Sequence, residues 1–124
     1  MRTIFILCGL ILVGGIVFVW VSFRAPSEFG ELINAPRAET IDVINHPENY
    51  LHTTVQLEGI IAKQCTTMGC YFFFIVGEKE LRIDLADIAM NAPKRKDGRR
   101  ALVEGRTVPF NKGYELMASY LKFE

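Results

Sequence analysis

The chain has 124 residues, and its 14 basic side chains balance its 14 acidic ones, so the formal net charge at pH 7 is zero. Arg2 is the only charged side chain before Arg24, which leaves the segment after residue 23 slightly acidic. A chain with this charge balance has no positive field to attract nucleic acid, so we expect no nucleic-acid partner. Residues 24–124 are enough for one small domain.

The N-terminal segment predicts a membrane anchor. Residues 3–23 contain no charge, and as an α-helix these 21 residues would be about 32 Å long, enough to cross the hydrocarbon core of a bilayer. A cleaved signal peptide has a shorter apolar core, and residues 23–26, Phe-Arg-Ala-Pro, make a poor cleavage site. We therefore predict an uncleaved transmembrane helix over residues 1–24.

The tail before this helix is too short to hold a domain, and such anchors usually keep a short tail in the cytoplasm. This orientation predicts a single-pass protein of the inner (cytoplasmic) membrane, with its C-terminal part in the periplasm. Residues 25–38 carry two prolines and a glycine, which favours a linker, and residues 39–124 are then the extracytoplasmic domain.

The domain begins with a short predicted helix and continues as strands. Thr40 is the predicted N-cap, and Pro47 should end the helix. Alternating apolar and polar residues then predict four strands, one of which places Leu81 and Ile83 inward and Arg82 outward. The run over residues 70–76 is apolar on both faces, which predicts a fifth strand that is covered on both sides. A further short helix is expected over residues 85–93. The predicted strands are residues 53–65, 70–76, 80–87, 100–108 and 114–124.

Five strands with a short helix between the third and the fourth match a Greek-key barrel of the OB type. The fold class expected is therefore mainly β, with an OB-like barrel behind the transmembrane helix. Interior glycines at Gly59 and Gly105 are typical of a bulge or sharp bend in such a barrel. An open antiparallel sheet with the N-terminal helix packed on it is the alternative.

Two stretches carry a family resemblance. The run NHPENYLHTTVQLEGIIAKQCTTMGCYFFFI, residues 45–75, and DGRRALVEG, residues 97–105, resemble small secreted or membrane-anchored bacterial OB-fold domains of uncharacterised function. Their shared element is a C-x-x-x-G-C-aromatic turn. A more distant likeness is to the haem chaperone of cytochrome c maturation, which is also membrane-anchored and periplasmic. That chaperone needs a C-terminal histidine, whereas His46 and His52 precede the first barrel strand, so this likeness implies architecture only.

Cys65 and Cys70 end one predicted strand and begin the next. In an oxidising compartment they should form a disulfide, which closes a small loop and stabilises by about 2 kcal/mol. A second possibility is a Cu(I) site made of Cys65, Met68 and Cys70, because thiolates and thioethers suit that ion. A third is redox activity, although the spacing is not C-x-x-C.

No residues predict an enzyme, because no nucleophile or carboxylate pair stands in a recognisable catalytic pattern. We expect a non-catalytic accessory subunit that docks on a larger membrane protein complex, without a cofactor. The alternative is a carrier of copper or haem. Aromatic residues suit a docking contact. Those predicted to bind a partner are Tyr71, Phe73, Tyr114 and Tyr120. A basic cluster, expected as a solvated loop, comprises Lys94, Arg95, Lys96, Arg99 and Arg100.

Overall fold

The structure, a computed structural model, describes residues 27–67, 70–89 and 92–124. The predicted anchor over residues 1–24 lies outside this part of the chain. Within the described part, no helix is both long and apolar enough to cross a bilayer. The anchor, its orientation and the periplasmic location therefore stay predictions.

The described residues form six strands, one α-helix and one 3-10 helix. Their bounds are β1 Glu28–Gly30, α1 Thr40–Asn45, the 3-10 helix Pro47–Tyr50, β2 Val55–Ala62, β3 Tyr71–Val76, β4 Lys79–Asp84, β5 Arg100–Phe110 and β6 Gly113–Phe123. The five predicted strands are confirmed as β2 to β6, each end within three residues of the expected position. The helix expected after β4 is one turn in its described part, where Ala89 N donates to Leu85 O.

The strands close into a barrel. β2, β3 and β4 form an antiparallel meander, β5 pairs antiparallel with both β2 and β6, and β6 pairs parallel with β4. This order, in which the last strand joins the third and the fourth joins the first, is that of a five-stranded OB-fold. The mainly β fold class is confirmed. The alternative of an open antiparallel sheet is wrong, because the parallel pairing of β4 with β6 closes the sheet into a barrel.

Alternation along the strands builds the barrel interior. Phe72 and Phe74 of β3 are fully buried and meet Leu81 and Ile83 of β4 inside the barrel. Gly59 of β2 permits this packing, because a Cβ built there would lie only 2.6 Å from Cγ of Phe74. The interior glycine thus marks a close approach between strands.

Residues 27–38, predicted as a linker, lie against the barrel. β1 pairs antiparallel with the end of β6, so that Glu28 is opposite Lys122. We call residues 31–38 the strap. Its end is hydrogen-bonded to β2, because Gln56 N donates to the carbonyl of Pro36 at 2.8 Å and Ala38 N donates to the carbonyl of Gln56 at 3.0 Å. The described part of the linker is therefore part of the domain.

A buried carboxylate holds the middle of the strap. Glu104 of β5 is fully buried, and its two side-chain oxygens accept hydrogen bonds from Ile33 N at 2.8 Å and Ala35 N at 2.7 Å. The side-chain amide of Gln56 donates a third bond at 3.2 Å. These donors replace the water that a carboxylate loses on burial, so Glu104 fastens the strap to the barrel wall.

Helix α1 packs on the barrel through Val43, which is fully buried. Its N-cap is Glu39, one residue before the predicted Thr40. The Thr40 hydroxyl donates to the carbonyl of Glu58 on β2 at 3.3 Å instead. The helix is thereby attached to the strand that follows it.

Candidate functional site: an aromatic face beside the cysteine loop

The outer side of β3 is rich in apolar side chains. Tyr71, Phe73 and Ile75 alternate with the buried phenylalanines, so they point outward, and Ile75 is 43% exposed. The rings of Tyr71 and Phe73 meet edge to face with centroids 6.1 Å apart. A strand covered on both sides was expected here from its unbroken run of apolar residues. In the described structure its outer face is only partly covered.

Arg82 of β4 organises the polar part of this face. It is opposite Phe73 in the sheet register, and its guanidinium carbon lies 4.0 Å from the ring centroid of Tyr71. The same carbon lies 4.5 Å from the ring centroid of Phe110, which the β5–β6 hairpin brings across. Arginine stacks well on aromatic rings, because its charge is delocalised and weakly hydrated. We call Tyr71, Phe73, Ile75, Arg82 and Phe110 the aromatic face.

A carboxylate from β6 fixes the arginine. Arg82 Nε donates to a side-chain oxygen of Glu115 at 2.8 Å, and Glu115 is only 4% exposed. Burial raises the pKa of Glu115 above its usual value, the Arg82 charge opposes this shift, and the neighbouring Asp84 carboxylate adds to it. Burial therefore affects the pKa of Glu115 more than the Arg82 charge does. The main role that we assign to this salt bridge is to hold Arg82 in position.

The two cysteines lie next to each other at one end of the aromatic face. Cys65 N donates to the carbonyl of Tyr71 at 3.0 Å, and the carbonyl of Cys70 accepts from Leu85 N at 2.8 Å. Both residues are thiols in the structure, and the disulfide stays a prediction. Burial raises the pKa of the Cys70 thiol, and its hydrogen bond with the Cys65 sulfur raises it further. The Cys65 sulfur also lies 3.3 Å from the Thr67 hydroxyl.

The described residues leave the predicted copper site at this loop untested. Among the described residues, no group of three or more histidine, cysteine, aspartate and glutamate side chains is placed to hold one. The copper site predicted from Cys65, Met68 and Cys70 needs its third ligand from Met68, which lies outside the described residues. His46 and His52 flank the 3-10 helix and are exposed, away from the cysteine loop in sequence.

The remaining predicted partner residues divide into one exposed and one buried ring. Tyr114 is 41% exposed and is opposite Pro109 in the β5–β6 hairpin, which also carries Phe110. Tyr120 is only 2% exposed, and its hydroxyl donates to the carboxylate of Glu28 on β1. The strand β1, which the linker prediction did not include, covers Tyr120 and removes it from the set of accessible rings.

The basic cluster does not form one groove beside the aromatic face. Lys94 donates to the carbonyl of Thr67 at 2.6 Å, whereas Arg100 pairs with Glu58 at 3.0 Å. Arg99 donates to the backbone oxygen of Glu124, and the Lys96 ammonium lies 5.7 Å from the ring centroid of Phe123. The cluster therefore extends from the cysteine loop to the end of β6.

Sequence reasoning placed Tyr71 and Phe73 but missed Arg82, Glu115 and Phe110 as parts of one site. The alternation of β4 indicated that Arg82 points outward, and this is confirmed. Its partners depend on the parallel β4–β6 pairing and on the β5–β6 hairpin, which no local pattern reveals. A cation on the strand after an aromatic-rich strand was the only signal available.

One comparison with solved structures supports the fold. The hypothetical protein ygiW from E. coli has a similar structure, with a TM-score of 0.51 and 11% sequence identity over 71% of this chain and 89% of that chain. Telomere capping protein Ten1 from Saccharomyces pombe gives a TM-score of 0.49 and 13% identity over 73% and 81%. A scan of family models and a search of curated proteins found no match. The first likeness shows that this chain is an OB-fold protein, and it shows nothing further.

Proposed function

We propose that this chain is a non-catalytic, membrane-anchored accessory subunit that docks on a larger membrane protein complex. The uncharged stretch over residues 3–23 supports the anchor. The C-x-x-x-G-C-aromatic resemblance to secreted domains supports an extracytoplasmic barrel. The docking surface is the aromatic face.

The observation that carries this proposal is the stacking of Arg82 between Tyr71 and Phe110. Protein interfaces are enriched in tyrosine, phenylalanine and arginine, and the residues that dominate binding free energy are often of these types. β3 and β4 are the second and third strands of the barrel, and OB-folds bind their ligands on this face and its adjoining loops. The Lys63–Glu80 ion pair at 2.8 Å contributes a polar rim beside Phe73.

Charge supports a protein partner over a nucleic acid. Arg82 is neutralised by Glu115, Lys63 is paired with Glu80, and Asp84 adds a carboxylate beside them. A face with this balance does not attract a polyanion, whereas it suits a protein surface of mixed character.

Affinity purification from native membranes in mild detergent tests the proposal. The full chain is compared with Phe73→Ser, which removes a ring from the aromatic face. Ile33→Ser is the matched control, because Ile33 is 59% exposed and lies on the strap. We expect one co-purifying membrane protein whose recovery falls at least about tenfold with Phe73→Ser, as for a dominant contact residue, and stays unchanged with Ile33→Ser.

Thermal unfolding of each variant shows whether it is folded. Two results would contradict the proposal. One is a well-folded Phe73→Ser chain that recovers the same proteins as the wild type. The other is a wild-type chain that purifies alone.

A carrier of copper or redox equivalents is the second candidate, and one observation favours it. The two sulfurs are adjacent at a loop beside the aromatic face, which places two soft ligands within reach of one Cu(I) ion. The raised pKa of Cys70 works against this role, because the ion binds the thiolate and must displace the proton. Titration with Cu(I) against a competing chelator, in wild type and Cys65→Ser, tests this role. Equal copper binding by both proteins would rule it out. Haem has less support, because His46 and His52 precede β2.

A further inference from the structure

We infer that the basic cluster contacts the anionic headgroups of the bilayer that holds the N-terminal anchor. This inference rests on the proposed anchor and adds a second surface, distinct from the aromatic face. The partner is a lipid surface with net negative charge.

The first support is the place where the chain joins the barrel. The carbonyl of Ser27 accepts a hydrogen bond from Phe123 N at 2.9 Å, so the first described residue lies beside the end of β6. The uncharged stretch ends at Phe23, and four extended residues span at most about 14 Å. If that stretch crosses the bilayer, the end of β6 must therefore lie close to the membrane surface.

The second support is that the basic cluster meets the same end of the barrel. The Lys96 ammonium lies over the ring of Phe123, and Arg99 donates to the backbone oxygen of Glu124 at 2.9 Å. The backbone of Arg100 also accepts from Glu124 N at 2.9 Å. These contacts place three of the five cations at the end of β6 where the chain enters the barrel.

The third support is unbalanced charge. Among the ion pairs of the described residues, Arg100 alone in this cluster has a carboxylate side chain as its partner, namely Glu58. Asp97 lies within the cluster and accepts from Gln64 N, and Glu124 lies beside Arg99, so the five cations still outnumber the acidic residues Glu58, Asp97 and Glu124. Lys122 is balanced by Glu28, which is opposite it in the sheet register. Each lysine or arginine within a Debye length of an anionic bilayer, about 8–10 Å, strengthens membrane binding by about fivefold. The cluster is thus suited to a lipid surface more than to the solvated loop expected from sequence.

Hydrogen exchange of the full chain in nanodiscs tests this inference. One disc contains phosphatidylcholine alone, and the other contains phosphatidylcholine with phosphatidylglycerol. We expect amides of residues 92–100 to exchange at least about fivefold more slowly in the anionic disc, because headgroup contact protects the loop. The difference should disappear in about 1 M salt, where the Debye length is only about 3 Å.

Two charge-reversed proteins sharpen the test. The triple variant Arg95→Glu, Lys96→Glu, Arg99→Glu should lose the lipid dependence. The control Arg106→Glu, Lys112→Glu should keep it, because both residues are exposed and Lys112 lies at the opposite end of β6. The salt series on the wild type needs no variant and decides the question if the triple variant unfolds.

The outcomes separate this inference from the proposed function. A wild-type chain that stays in both discs and exchanges equally in them overturns the lipid contact and leaves the accessory role standing. Equal loss of protection in the triple variant and the control also overturns it. A chain that alkaline carbonate washes off vesicles lacks the anchor, and that result overturns both proposals.

Discussion

Replacing Glu104 with glutamine should loosen the strap from the barrel. In the wild type, one carboxylate oxygen accepts from Ile33 N, and the other accepts from Ala35 N and from the Gln56 side chain. A glutamine of nearly the same shape has only one acceptor oxygen. Its best orientation keeps that oxygen toward Ala35 and Gln56, so its amino group then faces the N–H of Ile33.

The expected cost follows from these contacts. A buried donor left without an acceptor costs about 1–3 kcal/mol, and the two remaining bonds become weaker because their acceptor is no longer charged. Against this, glutamine loses less hydration on burial than a carboxylate does. We therefore expect the free energy of unfolding to fall by about 2 kcal/mol.

Urea denaturation of the full chain in detergent micelles measures the change. Hydrogen exchange of residues 31–38 locates it, because the amides of Ile33 and Ala35 should exchange faster before the barrel unfolds. Glu78→Gln is the matched control, since Glu78 is exposed in the β3–β4 turn and should change stability by less than about 0.5 kcal/mol. A loss below about 0.5 kcal/mol for Glu104→Gln, with unchanged exchange of the strap, would refute the role given to this carboxylate.

Three further predictions concern other parts of the barrel. Burial raises the pKa of Glu115, so the stability due to its protonation is complete below pH 4.5 and is lost as the pH rises through the raised pKa. Denaturation across this pH range should show that the free energy of unfolding declines in the wild type and not in Glu115→Gln. Parallel pH curves for the two proteins would contradict this prediction. Gly59→Ala places a methyl group against Phe74 and should cost about 1–3 kcal/mol by thermal unfolding, whereas Gly113→Ala, which has open space, should be tolerated. Chain isolated without reductant should resist thiol-reactive labels at Cys65 and Cys70 and gain about 2 kcal/mol over its reduced form, and full labelling would argue against the predicted disulfide.

The strands of the barrel could be predicted from sequence because their signal is local. Side chains along a strand alternate between two faces, so the inward positions of Leu81 and Ile83 follow from the amino-acid sequence alone. The turn at Gly77 and the proline at residue 47 also act on their immediate neighbours. These local rules place all five barrel strands within three residues of their observed ends.

The roles of Tyr120 and of the strap were set by distant parts of the chain. Tyr120 was predicted to bind a partner, but β1 covers it through a pairing across about 90 positions, and its hydroxyl donates to Glu28. Residues 31–38 contain Pro36 and polar residues, as is typical of a linker. Their attachment depends on Glu104, whose buried position no pattern near residue 35 indicates.

The candidate site divides along the same line. Sequence alone determined that Tyr71 and Phe73 lie on the strand after the cysteine loop, that Arg82 points outward, and that the two cysteines adjoin one turn. Only the tertiary structure decided that Arg82 lies between Tyr71 and Phe110 and that Arg99 lies beside the end of β6. The physical reason is that side-chain direction repeats every two residues along one strand, whereas register and barrel closure depend on the packing of all strands together.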